Sequence, residues 1–263
     1  MDLSEAYANG PHIPGGSDYP ARWARAAEAF RSEMGPRAEI GLAYGTGTRQ
    51  AFDLFHPDGA ASRGTVIFVH GGYWRSLARS DWSWLAAGPL GRGWTVAMPG
   101  YDLCPAVRIT DITRQVAAAV QAVADRTSGP IALTGHSAGG HLVARMLDPE
   151  LLPEAVAGRL VSVQPISPLA DLAPLMQTNL NDDLHLDPAE AVAESPIHMT
   201  DRRDVPVSVL VGGAERPAFL DQTLWLAEAW GVERIVAKGR HHFDVIDALA
   251  DPGSALVARL CVE

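Results

Sequence analysis

From Thr65 onward the chain alternates short apolar runs with amphipathic stretches, and this alternation restricts the fold more than any other feature. The runs TVIFVH (65–70), WTVAMPG (94–100), PIALTGH (130–136), RLVSVQPI (159–166), VPVSVLVGG (205–213) and ERIVAKG (233–239) have the composition of strands covered on both faces. Helical stretches at 79–91, 110–126, 138–147 and 217–230 separate nearly all of them. Such alternation builds an α/β fold: a mostly parallel central sheet flanked by helices, with right-handed crossovers.

Before Thr65, residues 20–33 place apolar side chains at helical spacing behind Pro20, which suits a first helical turn. AEIGLAYG (38–45) and QAFDLFHP (50–57) read as two strands joined by a glycine-rich turn, a hairpin. At 263 residues one domain spanning 1–263 is expected. The interval 168–204, rich in prolines and Asn/Asp clusters, breaks the rhythm after a strand end. It is either a small cap-like insertion over a site or a long irregular connection.

Charge narrows the partners. A net charge of -10 without a Lys/Arg cluster repels nucleic acid and anionic membrane surfaces, so a small-molecule substrate is expected. The N-terminal MDLSEAYANGPHIPGG has neither a basic start nor an apolar run, and two cysteines, Cys104 and Cys261, are too few for a disulfide framework; both point to the cytoplasm. No His/Cys spacing suggests a metal, and no cofactor is implied. Seven tryptophans can serve core, pocket or a homo-oligomer interface alike.

The chemistry centres on LTGHSAGG. Gly135-His136-Ser137-Ala138-Gly139 is a GxSxG between a predicted strand and a predicted helix. Small residues around the serine permit a sharp turn that lifts its hydroxyl above the sheet. Glycine-rich turns produce the motif by chance, so its partners matter. A serine hydroxyl needs a base, and the base an orienting acid. Glu215, beyond the strand VSVLVGG, supplies the acid; Asp221 and Asp244 are fallback carboxylates. The base is His242 or its neighbour His241, with His242 favoured because HFD opens a helix behind it. The remaining histidines read as loop, packing or backbone-bonding groups.

The run FVHGGYW ends a buried strand in bare backbone. In acyl transfer, preorganised N–H donors stabilise the oxyanion by a few kcal/mol each. The N–H groups of Gly72, Tyr73 and Ala138 are the expected donors. His70 braces the loop, and Trp74 is expected to wall the substrate pocket or to serve packing. An ordinary glycine-rich turn would leave the later serine, acid and histidine in hydrolase order by coincidence.

On these residues the chain resembles the α/β-hydrolases of the hormone-sensitive-lipase-like branch. HGGYW is similar to the HGGG-type oxyanion loop, GYDLCP (100–105) to the segment after the next strand, and GHSAGG to the elbow. Within that branch HGGYW, TNLNDDLHLDPAEAVAESP (178–196), AERPAFLDQT (214–223) and HHFDVID resemble the kynurenine formamidases, or arylformamidases. Glu215 stands where that family usually carries Asp, and His241 where Asp is common. The resemblance implies a serine hydrolase cleaving an aryl formamide, N-formylkynurenine to kynurenine and formate. The alternative is a short-chain carboxylesterase or thioesterase. Arg75 and Arg216 are candidates for holding a substrate carboxylate.

Overall fold

All six apolar runs after residue 64 are strands, and the two before it complete one eight-stranded sheet in this computed structural model. It describes residues 2–59 and 61–262; Met1 and Glu263, the end points of the expected domain, lie outside the described residues. The strands are β1 (Ala38–Ala43), β2 (Ala51–Phe55), β3 (Thr65–Val69), β4 (Thr95–Pro99), β5 (Ile131–His136), β6 (Leu160–Ile166), β7 (Ser208–Gly212) and β8 (Glu233–Ala237). Their order is β1-β2-β4-β3-β5-β6-β7-β8. The hairpin β1–β2 and the pair β2–β4 are antiparallel; every other neighbouring pair is parallel.

Successive side chains of β3 enter opposite layers, as the two-residue period of a strand requires. Ile67 and Val69 join a core with residues of α4 (Ile109–Arg126), α5 (Ala138–Arg145), α8 (Pro188–Glu194) and α9 (Pro217–Trp230). Val66 and Phe68 join a second core with α2 (Tyr19–Met34) and α10 (Ala255–Leu260). The sheet is therefore covered on both faces, and both cysteines are buried and free. Among the described residues no helix is long and apolar enough to cross a membrane.

One segment departs from the sequence reading. Residues 79–91 form 3₁₀ turns at Arg79–Asp81 and Ser83–Ala86 and then only the short helix α3 (Ala87–Gly91), because Pro89 fits only a helix's first turn and so bars a longer helix from running in ahead of it, while Trp82 and Leu85 are drawn into the core. The interval 168–204 holds α7 (Asn181–Leu184), α8 and two 3₁₀ turns. Leu169, Leu172, Leu175, Leu180, Leu184 and Leu186 pack into the same core as α4. Thr113 Oγ1 and Arg145 Nε donate to Glu194 Oε2 at 2.7 and 3.3 Å, which moors α8 on α4 and α5. Shorter helices α1 (Leu3–Ala6) and α6 (Glu154–Ala157) complete the described set.

Candidate active site

Ser137 sits between β5 and α5 at φ 57° and ψ -117°, a conformation that costs a non-glycine residue energy. The turn is held because Ser137 N donates to Ile166 O at 2.8 Å and Ser137 O accepts from His141 N at 3.0 Å. Glycine at 139 is obligatory here: a Cβ would stand 2.0 Å from Val69 O. The Ser137 hydroxyl caps no helix and makes no hydrogen bond among the described residues; it faces a cavity.

His242 lines the same cavity, and behind it lies Glu215, whose side chain is 0% exposed. His242 Nδ1 and Glu215 Oε2 are 2.6 Å apart. A carboxylate oxygen only accepts, so Nδ1 carries the proton and Nε2 is left with a free lone pair. The other oxygen, Oε1, accepts from Gly212 N at 2.7 Å and from Ser167 Oγ at 2.5 Å. Glutamate thus reaches the imidazole by folding back over the end of β7, with its charge met by donors on both oxygens. The fallback carboxylates are elsewhere: Asp221 is exposed on α9, and Asp244 accepts from His241 N and Arg240.

His241 is committed to its loop. Its Nδ1 accepts from Phe243 N and Asp244 N at 3.1 and 3.2 Å, and its Nε2 contacts Tyr19 Oη at 3.1 Å. The His242 ring lies between those of Phe219, at 4.2 Å between centroids, and His136, at 4.5 Å. Burial holds the His136 pKa well below the ordinary histidine value, with the neighbouring His242 adding to the effect, so His136 packs against His242 as a neutral ring.

Opposite the elbow the glycine loop coils through positive φ at Gly72 (108°), Tyr73 (50°) and Trp74 (57°). A Cβ on Gly72 would meet Ser76 O at 2.3 Å, which is why this strand must end in bare backbone. No main-chain acceptor among the described residues takes the N–H groups of Gly72, Tyr73 or Ala138. His70 stacks on Tyr101 at 4.3 Å and donates from Nδ1 to Gly71 O at 2.7 Å, while Tyr101 Oη donates to His70 O at 2.8 Å. Burial pushes the His70 pKa down to about 4, so the brace is uncharged.

Trp74 requires a correction. The indole does not reach the cavity; it is 0% exposed and packs edge-on against His141 in the core. Three consecutive residues at positive φ turn the chain inward after Tyr73, so the expected pocket wall became a wedge beneath the loop.

The cavity has a volume of about 370 Å³, and Ser137, His242, Gly71, Gly72 and Tyr73 are among its lining residues. Much of the remainder is built from a region the sequence reading did not assign to the site, the N-terminal segment from Ser4 to Trp23. Tyr73 Oη donates to Tyr7 O at 2.6 Å, Gln222 Nε2 to Tyr7 Oη at 2.8 Å, and Asn179 N to Ser4 Oγ at 2.9 Å. The 168–204 interval contributes Asn179 and Leu180. Of the two arginines, Arg75 lines the cavity and pairs with Asp183 at 2.5 Å, whereas Arg216 donates to Glu5 O and lines a neighbouring cavity behind Glu215.

A family model described as alpha/beta hydrolase fold matches residues 66–231. The chain belongs to the α/β-hydrolases. Among curated relatives it is 27% identical to the kynurenine formamidase of Salmo salar over 228 residues, which cover 81% of this chain and 77% of that protein. It is 29% identical to the kynurenine formamidase of Drosophila melanogaster, over 80% of this chain and 76% of that one. Among solved structures it is similar to a Silicibacter sp. TM1040 protein bearing a provisional thioesterase name, at 56% identity and a TM-score of 0.98 over 100% of both chains. This α/β-hydrolase is therefore a hydrolytic enzyme that resembles arylformamidase. Two site contributions of the hydrolase escaped the sequence reading. Ser167 carried no signal beyond its position at the end of β6, and the N-terminal residues carried none.

Proposed function

We propose that this hydrolase cleaves an aryl formamide, with N-formylkynurenine as substrate and kynurenine and formate as products. The observation that carries the reading is His242, backed by Glu215 and facing the same cavity as Ser137 and the glycine loop whose N–H groups take no main-chain acceptor among the described residues. In this reading Ser137 Oγ attacks the formyl carbon while His242 Nε2 takes its proton, and Glu215 stabilises the imidazolium. The carbonyl oxygen becomes an oxyanion held by the N–H groups of Gly72, Tyr73 and Ala138. Collapse breaks the C–N bond, and His242 returns the proton to the departing arylamine. Water then attacks the formyl-enzyme while His242 takes its proton, and as the Oγ–C bond breaks His242 returns that proton to Ser137 Oγ and formate leaves.

The rings of Tyr7, Trp23, Trp82 and Phe243 around the cavity suit an aromatic leaving group, and the formamidase relatives favour the formyl acyl group. A small-acyl esterase or thioesterase is the second reading, favoured by the name of the Silicibacter protein. The deciding measurement is kcat/KM for N-formylkynurenine against that for a short aryl acetate on the same preparation. The formamidase reading requires efficient turnover of the formamide; background rates on it beside rapid ester cleavage would leave the esterase reading in its place.

A further inference from the structure

Arg75 is the one arginine or lysine among the described residues that line the cavity holding Ser137, and no aspartate or glutamate lines it, although the protein as a whole carries a net charge of -10. The lining grades from open to closed. Arg75, Ser76 and Asn179 are exposed, whereas Ser137 and His242 are each 3% exposed, so the cation stands at the mouth and the reacting groups lie deeper. A cationic mouth on a negatively charged protein favours a ligand that carries an anionic group.

The guanidinium has capacity to spare. Asp183 takes Nη1 at 2.5 Å, while Nε and Nη2 make no hydrogen bond among the described residues and the side chain is 36% exposed. One arginine can serve two carboxylates at once, as Arg108 does in this protein with Asp187 and Glu190. The main chain beneath Arg75 is fixed: Arg75 N and Ser76 N donate to Gly72 O at 3.1 and 3.0 Å, which ties Arg75 to the loop that carries the N–H groups of Gly72 and Tyr73. Ser4 and Asn179, which line the same cavity, are polar and neutral and leave the charge uncompensated. The other candidate, Arg216, lines the cavity behind Glu215 and not this one.

We infer that Arg75 is a specificity-determining residue: its unpaired N–H groups donate to a carboxylate carried on the side chain of the aromatic leaving group. The inference rests on the formamidase reading and names the charge of the leaving group that the cavity mouth selects. Arginine presents N–H donors in a fork that matches a carboxylate, and such charge-assisted bonds are stronger than neutral ones. A leaving group without an anion leaves the guanidinium with Asp183 alone and gains nothing from it.

The test needs no turnover. Binding of kynurenine and of its carboxamide, in which only the carboxylate is neutralised, is measured by calorimetry on the unmodified enzyme and on Arg75→Met, Arg75→Lys and Asp183→Asn proteins. The unmodified enzyme is expected to prefer kynurenine by about 10-fold, and Arg75→Met to bind the two ligands within about twofold of each other. Arg75→Lys keeps the charge and loses the fork, so a preference of about threefold should remain. Asp183→Asn breaks the same ion pair yet leaves the guanidinium at the mouth, so its preference should persist at about 10-fold. An exposed ion pair contributes little to stability, so each variant should fold, with melting temperatures as the check. Equal affinities in the unmodified enzyme, a preference that survives Arg75→Met, or its loss in Asp183→Asn would overturn the assignment. Failure of the formamidase reading shows separately, as absent cleavage of N-formylkynurenine by an unmodified enzyme that still prefers kynurenine to its carboxamide.

Discussion

Replacing Glu215 by glutamine changes one atom and one charge, and the surrounding contacts dictate how the histidine responds. Gly212 N and Ser167 Oγ both donate to Oε1, so the glutamine must turn its carbonyl oxygen toward them. Its NH₂ group then faces His242 Nδ1 across a contact of 2.6 Å in the parent. Two donors cannot share that contact, so Nδ1 becomes the acceptor and the ring proton moves to Nε2. The base then presents a proton to Ser137 where it should present a lone pair. The equivalent change in a serine–histidine–aspartate site costs about 10⁴-fold in kcat, or about 5.5 kcal/mol of activation free energy. Glu215 does not line the cavity that holds Ser137, so KM is expected to stay within about threefold. Initial rates on an aryl ester, with circular dichroism to verify the fold, measure both quantities. A folded Glu215→Gln enzyme retaining more than about a tenth of the parent kcat would refute the assignment of Glu215 as orienting acid.

Ser167→Ala removes one of the two donors on Glu215 Oε1 and strands part of a buried charge; unfolding free energy from urea titration should fall by about 1.5–3 kcal/mol, with a lower kcat at little-changed KM. Unaltered stability would mean that the 2.5 Å contact does not support the carboxylate. Stability should also fall with acid before ordinary carboxylates titrate. Burial lowers the pKa of His70 to about 4, of His141 to about 3, and of His136 well below 6.5. The unfolded chain protonates these rings below about pH 6.5, so it binds more protons than the native state and stability is full above that value. Lowering the pH from 7 to 5.5 should cost about 1 kcal/mol per histidine. A urea midpoint that stays constant over that interval would contradict the burial of these rings as neutral groups.

Local pattern made most of the fold legible. Each apolar run became a strand, the hairpin paired as its turn demanded, and α9 spans the whole of the expected 217–230 stretch. The elbow was legible for the same reason, because the conformation at Ser137 depends on which residues flank it within the turn. The same locality misled at Trp74. Its neighbours gave a glycine loop at the site, but the direction of the indole depends on three successive positive φ angles that sequence spacing does not encode.

Periodicity and turn chemistry were determined by the sequence alone: which stretches alternate, where bare backbone is needed, and the chain order of Ser137, Glu215 and His242. Tertiary structure decided the features that depend on distant segments meeting. It paired His242 with Glu215 and bound the ring of His241 to Tyr19 and to its own loop. It set Ser167 under Glu215, and it drew the N-terminal segment from Ser4 to Trp23 along the cavity. Short-range sterics and hydrophobic spacing act within a turn or two and leave a mark on neighbouring residues, whereas a contact between segments far apart in the chain exists only once the sheet has closed and the core has fixed their positions.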